Sequence, residues 1–419
     1  MSLRTLRLLT AGESHGPMLV AILEGLPAGL SIDLGAVNDN LARRMAGHGR
    51  GKRMKIERDQ VRVVGGMRHG HTLGSPIGLL IDNRDWPNWQ QVMDAELSPS
   101  AASGEENATG STAESGNRPG ARVDRRRVTR PRPGHADLAG GLKYNRSDLR
   151  DVLERASARE TAARVAAGAF CKQFLRQLQI EIASHVIQIG AARLPADKPI
   201  ALEAIRESAD ASPVRCADAA TEAAMIAAID TARDDLDTLG GAFEVLASNL
   251  PAGLGSHVQW DRKLDGRIAQ AMMSIPAQKA VEIGDAIWAS SQPGSRVHDP
   301  IHYDRSAHRF FRPSNHAGGT EGGISYGGEL RVRVYMKPLS TLRKPLPSVD
   351  ILTGEAAEAV VQRSDVCAVP AAAVVGEAML ALVIADACLE KFGGDSIEET
   401  QRNLQGFLEQ VRRFPPAAE

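Results

Sequence analysis

Two histidines, one aspartate and several scattered arginines are the side chains whose types and spacing can do chemistry. The loop Arg130-Pro131-Arg132-Pro133-Gly134-His135-Ala136-Asp137 offers guanidiniums from a stiff backbone. Each proline fixes its own φ and biases the arginine before it towards extended geometry. A histidine and an aspartate two residues apart close the same loop. Beyond it, Ser157-Ala158-Arg159-Glu160 reads as a capping box, with the Ser157 hydroxyl accepting from the Glu160 amide and the Glu160 carboxylate accepting from the Ser157 amide. That places a positive helix end beside Arg155 and Arg159. Three or four charge-assisted bonds of about 1.5–3 kcal/mol each would hold a phosphate dianion there. Taken singly these features are common on solvated surfaces; their adjacency is what points to an anion site.

Other stretches add candidates. Gly12-Glu13-Ser14-His15-Gly16 puts His15 at a strand end between glycines that let a ligand approach. Gly47-His48-Gly49-Arg50-Gly51-Lys52-Arg53 reads either as a surface connection or as a flap that lays Arg44 and Arg50 over an anion. His69 and His71 share a face if extended, but no third ligand at suitable spacing supports a metal site. Lys337-Pro338-Leu339-Ser340-Thr341 suits a monoester phosphate, with a plain strand-end turn as the alternative. Asp365, in Arg363-Ser364-Asp365-Val366-Cys367-Ala368-Val369-Pro370, stands just ahead of an apolar helix and is expected in the interior.

The elements that must position these groups follow from periodicity. Residues 3–10, 17–24, 61–64, 77–82, 186–191, 243–248 and 329–336 read as strands. Leu34, Val37, Leu41 and Met45 repeat at helical spacing, as do the small and apolar residues of 161–178, the alanine-rich 219–232, and 264–273. The apolar run 370–389 is interrupted by Glu377 and Asp386 and reads as a buried helix, not a membrane span. Two glycine-rich strand pairs, at 65–82 and 318–336, resemble each other and hint at an internal duplication.

Composition narrows the function classes. With 419 residues, a net charge of −1 and 4% aromatic residues, the chain lacks the basic excess and stacking rings of a nucleic-acid binder. The histidine pair alone makes a metal-dependent phosphatase a weak alternative. Cys171, Cys216, Cys367 and Cys388 have neither zinc-knuckle nor disulfide-framework spacing, which fits a reduced cytoplasm, and no signal peptide is expected at the N-terminus. Residues 98–127 are rich in Ala, Ser, Gly, Glu, Asn and Thr, too polar to offset their ordering entropy. One domain over 1–412, interrupted by a disordered insertion at 98–127 and followed by a flexible tail at 413–419, is expected.

Four of these motifs, in order, resemble the chorismate synthase family: 12–16, 132–137, 157–168 and 363–370. The resemblance covers nearly the whole chain; the insertion at 98–127 is longer than the family pattern. It implies an α+β fold, a β-α-β sandwich with antiparallel sheets enclosing helices, in a cytoplasmic homotetramer. It implies a lyase that makes chorismate from 5-enolpyruvylshikimate 3-phosphate by anti-1,4 elimination, the last common step towards the aromatic amino acids, with reduced FMN as cofactor. In members that reduce their own flavin, NADPH is the donor. By resemblance, His15 is the acid near the leaving phosphate, His135 serves the reduced flavin, and Asp365 relays the ring proton. Ser14, Arg44, Arg50, Arg132, Arg159 and Arg363 would meet substrate and phosphate. Arg155, Ala156, Ser157, Pro276, Ala277, Gly322, Lys337, Pro338, Leu339, Ser340, Thr341 and Arg363 would meet FMN, Pro276 through its backbone carbonyl or its shape alone.

Overall fold

The computed structural model describes residues 5–51, 58–96, 127–195, 198–361 and 365–414. Alternating strands supply the first layer. In β1 (Arg7–Ala11), β2 (Met18–Glu24), β3 (Val61–Gly65) and β4 (Ile77–Asp82), one face carries Leu19, Ala21, Leu23, Ile77, Leu79 and Ile81, all buried. The sheet order is β1-β2-β4-β3, antiparallel throughout. Helix α1 (Leu34–Met45) connects β2 to β3, capped by Asp33, whose side chain accepts from the Gly35 amide. Helix α2 (Thr161–Gln177) follows and packs on β1, β2 and β4.

The second half repeats this plan. Strands β5 (Glu181–Ile189), β6 (Gly241–Ser248), β7 (Gln278–Ile283) and β8 (Leu330–Met336) pair antiparallel in the order β5-β6-β8-β7, with Ala192–Arg193 added beside β5. Helix α3 (Leu264–Met273) joins β6 to β7, and α4 (Val369–Phe392) follows β8. In each half the strand pair across the sheet runs first, second, fourth, third. A short glycine-turned hairpin precedes the fourth strand both times, Met67–Arg68 with His71–Thr72 and Thr320–Glu321 with Ile324–Ser325. The internal duplication hinted at by the two glycine-rich pairs is therefore visible as repeated topology.

The two halves meet through their last helices. α4 lies on β5 and β6, α2 lies on the first sheet, and the two helices pack on each other, giving sheet, helices, sheet. Contact is close because α2 has Gly168 there: a Cβ on it would fall 2.4 Å from the Ala378 Cβ. α4 is long and apolar enough to cross a membrane, yet its apolar stretch is buried inside the protein. Its two buried charges tie the layers together. Glu377 accepts from Lys172 of α2 (2.6 Å), Arg43 of α1 (2.8 Å) and Ser184 of β5 (2.7 Å). Asp386 pairs with Arg267 of α3 and accepts the amides of Thr5 and Leu6 at 2.7 and 2.8 Å.

Some boundaries differ from the sequence reading. β5 begins at Glu181, five residues earlier than its alternation suggests, because both of its faces are covered. A helix over Leu202–Ser208 buries Leu202 and Ile205 against Ala183 and Leu246 on the outer face. The C-terminal helix α5 (Ile397–Arg412) is absent from the sequence reading, although Ile397, Leu404, Phe407 and Leu408 recur at helical spacing and pack on the core. All but the last residue of the 98–127 segment lie outside the described residues.

Candidate active site

The His15 turn leaves β1 at Gly12, whose φ of +103° and 2.3 Å approach of a Cβ to the Met18 carbonyl admit only glycine. Asn83, buried at the end of β4, clamps the turn by donating to the Gly16 carbonyl at 2.7 Å and the Glu13 carbonyl at 3.2 Å. The His15 Nδ1 lies 2.7 Å from Glu154 Oε2, which also accepts the His15 amide at 3.1 Å. The imidazole stacks on Trp89 with ring centroids 3.8 Å apart. Ser14 is buried, and Ser157 donates to its hydroxyl at 3.2 Å. Arg155 turns its guanidinium onto the carbonyls of Gly12 and Thr10 at 3.0 and 2.9 Å, so that group fastens the turn.

The capping box takes a different form from the one expected. Residues 158–160 make a 3₁₀ turn ahead of α2, and this tighter winding brings the Arg159 amide, not that of Glu160, to the Ser157 hydroxyl at 3.3 Å. The Glu160 carboxylate goes to Arg164 instead, one helical turn on (2.9 and 3.0 Å).

Beside this turn lies a buried network from α1, β4 and the start of α2. Arg159 donates to both oxygens of Asp59 at 2.6 Å and to Asn83 Oδ1 at 2.9 Å. Arg44 donates to Thr161 Oγ1 and the Ala158 carbonyl, both at 2.9 Å, and its Nη1 stands 3.6 Å from Asp59. That Nη1 is buried and has no hydrogen-bond acceptor among the described residues. Burial pulls the Arg44 guanidinium down to about 10 against the attraction of Asp59, and the neighbouring Arg159 and Arg50 add to the fall.

The glycine-spaced loop is anchored. Arg50 Nη1 pairs with Asp365 Oδ2 at 2.7 Å, the Gly51 amide donates to Asp365 Oδ1 at 2.6 Å, and Val366 donates to the Gly49 carbonyl. Asp365 is thus part-buried just ahead of α4, in contact with the loop that carries Arg50. Arg363 lies outside the described residues.

A second cluster forms on the proline-stiffened loop. Asp137, fully buried, accepts from Arg132 Nε at 2.8 Å and from His135 Nδ1 at 2.6 Å. Burial opposes its ionisation, but the bonds from His135 and Arg132 prevail and hold the carboxyl far below its usual range. Arg132 also reaches Thr341 Oγ1 at 2.8 Å, and Lys337 Nζ donates to the Gly134 carbonyl at 2.6 Å. Lys337 follows β8, where its amide donates to the Ala277 carbonyl at 3.0 Å; burial and the nearby Lys279 lower its ammonium. Ala277 holds a φ of +69°, and Pro276 precedes it. The amides of Leu339, Ser340 and Thr341 donate to no protein acceptor among the described residues. Gly322 sits at the tip of the Thr320–Ser325 hairpin, where a Cβ would meet nothing within 4 Å.

The structure therefore gathers Ser14, His15, Ser157, Arg159 and Arg44 in one network, with Arg50 of the Arg50–Asp365 pair near enough for its charge to repel that of Arg44. It gathers Arg132, His135, Lys337, Ser340, Thr341, Pro276 and Ala277 in another. Segment 137–154 links the two, since the helix Asp137–Tyr144 packs on the one that ends at Glu154. Sequence reading missed Glu154, Trp89, Asp59 and Asn83 as partners. Only the His135–Asp137 spacing advertised a pair; Glu154 stands 139 residues from His15 and shares no spacing with it.

The family model of chorismate synthase matches residues 6–389. A chorismate synthase from Solibacter usitatus is 52% identical, over 98% of this chain and 100% of its own length. Those from Acidothermus cellulolyticus and Symbiobacterium thermophilum are each 54% identical, covering 96% and 97% of this chain and 98% and 100% of theirs. A crystal structure of chorismate synthase is similar with a TM-score of 0.76 and 42% identity, covering 99% of this chain and 100% of that one. Matched in sequence and in fold along nearly its full length, the chain belongs to the chorismate synthase family and is an enzyme of that kind.

Proposed function

We propose that this enzyme is the lyase of the shikimate pathway that eliminates phosphate and a ring proton from 5-enolpyruvylshikimate 3-phosphate to give chorismate, using reduced FMN. The observation that carries the reading is Arg44. Its buried Nη1 lacks a hydrogen-bond acceptor and its proton is held weakly, beside the His15 turn. A dianion leaving next to it would supply the missing acceptor as charge develops, the kind of stabilisation that lowers a barrier.

The second cluster fits a flavin mononucleotide. Donor amides at 339–341 and the Lys337 ammonium suit its phosphate, and Arg132, expected at the substrate, stands beside them through Thr341. Gly134, at φ +78°, lets the loop backbone approach Lys337 Nζ, which a Cβ there would crowd at 3.1 Å, and Ala277 holds a left-handed φ of +69°. Arg155 through its main chain, Ala156, Ser157, Pro276, Ala277, Gly322, residues 337–341 and Arg363 would hold it. Reduced FMN supplies an electron-rich ring to a reaction with no net redox change.

The chain's own residues do the rest. Arg44, Arg50, Arg159 and Ser14 bind and orient the phosphate, and His15 donates a proton to it as it leaves. His135, fixed by Asp137 through Nδ1, would serve the reduced flavin. Asp365, steadied by the Arg50 pair, takes part in moving the ring proton. We further propose a cytoplasmic homotetramer acting on a small molecule, with no nucleic-acid or membrane partner. Exposed Trp260, Ile287, Phe310 and Phe311 are the surface that subunit contacts would cover, which sedimentation can check.

The test is anaerobic addition of the substrate to protein with reduced FMN. Phosphate release with the rise of chorismate absorbance, and no flavin oxidation, is expected; equal release without flavin would refute the lyase in favour of a phosphatase.

A further inference from the structure

His15 is held from more sides than a surface histidine needs. Glu154, whose side chain is 1% exposed, grips residues 14 and 15 with three bonds. Its carbonyl accepts the Ser14 amide at 3.0 Å, and its Oε2 accepts both the His15 amide and the His15 Nδ1. An ionised carboxylate only accepts, so the ring nitrogen facing it carries hydrogen, and the proton that can be exchanged sits on Nε2. Because one oxygen bonds the main chain and the ring of the same residue, it fixes the side-chain torsions as well as the tautomer. Glu154 is itself steadied by Arg150, whose Nη1 is 3.5 Å from Oε1.

The ring plane is set from another element. Trp89 lies on the helix Trp86–Met93 and stacks on the imidazole at 3.8 Å with an interplanar angle of 26°. Its indole cannot drift, since Nε1 donates to Asp85 Oδ2 at 3.0 Å and the Arg150 guanidinium stands 5.4 Å from the indole ring. A flip of the imidazole would have to break the Glu154 bond and the stack together.

We infer that Glu154 and Trp89 are positioning residues for His15: the carboxylate decides which nitrogen carries the transferable proton, and the indole decides the plane in which that proton is presented. The inference rests on His15 acting as the acid. A merely structural clamp would affect stability or substrate affinity, whereas a positioning role acts on turnover and on the ring's tautomer.

The experiment uses the full chain with reduced FMN and 5-enolpyruvylshikimate 3-phosphate under anaerobic conditions, together with ¹⁵N spectra of the histidine rings. Wild-type protein with neutral His15 should show hydrogen on Nδ1 and a bare Nε2. Glu154→Ala should lose about 10²-fold in kcat with KM within about 3-fold, and its His15 should redistribute to the other tautomer. Trp89→Leu should lose about 10-fold in kcat, while Trp89→Phe, which keeps a stacking face, should stay within about 3-fold of wild type. Trp89→Leu and the wild-type spectrum carry the test if Glu154→Ala does not fold. A wild-type His15 with hydrogen on Nε2, or kcat within about 2-fold in both Glu154→Ala and Trp89→Leu while His15→Gln is crippled, overturns the positioning role and leaves His15 as the acid. Full turnover in His15→Gln removes the acid assignment itself, and the positioning role with it.

Discussion

Replacing Arg44 by methionine separates binding from folding at this site. The folded chain holds the Arg44 proton at about 10, far below a guanidinium in water, because burial removes its solvation and Arg159 and Arg50 crowd it. At about 1.4 kcal/mol per pH unit, the charged side chain carries roughly 3 kcal/mol of unfavourable free energy in the folded state. Methionine removes that cost and two charge-assisted bonds of about 1.5–3 kcal/mol each. The groups left behind keep partners: Thr161 Oγ1 already donates to the Ala158 carbonyl at 2.7 Å, and Asp59 retains both bonds from Arg159. Urea unfolding should therefore show a loss of no more than about 3 kcal/mol, while kcat/KM falls by about 10²–10³-fold. The pH dependence has a definite sign. The unfolded chain binds this proton more tightly than the folded one, so the cost is present in full below pH 10. Wild-type stability relative to the variant should rise above that pH, by at most about 1.4 kcal/mol per unit. A variant that loses more than about 3 kcal/mol of stability yet turns over normally would show that Arg44 is a structural cation, and the phosphate reading would fail with it.

Asp137→Asn should cost about 3 kcal/mol at neutral pH by stranding Arg132 and His135. Because the folded carboxyl titrates far below its unfolded range, that contribution exists above pH 4 and fades as the pH falls further, so acid titration of wild type and variant should converge; parallel curves would contradict the pairing. Asp365→Asn keeps an acceptor for the Gly51 amide but loses the Arg50 ion pair. It should lower kcat by about 10-fold or more with little change in KM, and a defect confined to KM would make Asp365 a fastener of the loop instead. Gly168→Ala should destabilise by about 1–3 kcal/mol in a denaturant melt, since the added methyl meets Ala378 at 2.4 Å; an unchanged midpoint would mean the helices can part cheaply.

Elements with one dry and one wet face were legible in the sequence. The periodic apolar residues of α1 and α3 set boundaries at 34–45 and 264–273 that the structure reproduces, and the continuous apolar run of α4 announced its burial. Legibility failed where tertiary contact overrides local pattern. β5 is covered on both faces and so lacks alternation, and the 3₁₀ turn at 158–160 shifts the Ser157 cap by one amide. At the site, residue types identified the cations and imidazoles, but their acids were hidden by distance along the chain. Asp137 is two residues from His135, whereas Asp59 and Arg159 meet across 100 residues and Arg50 and Asp365 come together from opposite ends of the chain.

The bond from Asp386 to the amides of Thr5 and Leu6 spans 381 and 380 residues. During synthesis the Thr5–Leu6 segment emerges long before α4 and waits for that helix before it can be fixed. At roughly 5–20 residues per second that delay is on the order of 20–80 s. Throughout it, the N-terminal half exposes the apolar side of α2 that α4 will cover. The contact that fixes the Thr5–Leu6 segment therefore forms late, and a nascent-chain chaperone has a defined surface to shield until α4 arrives.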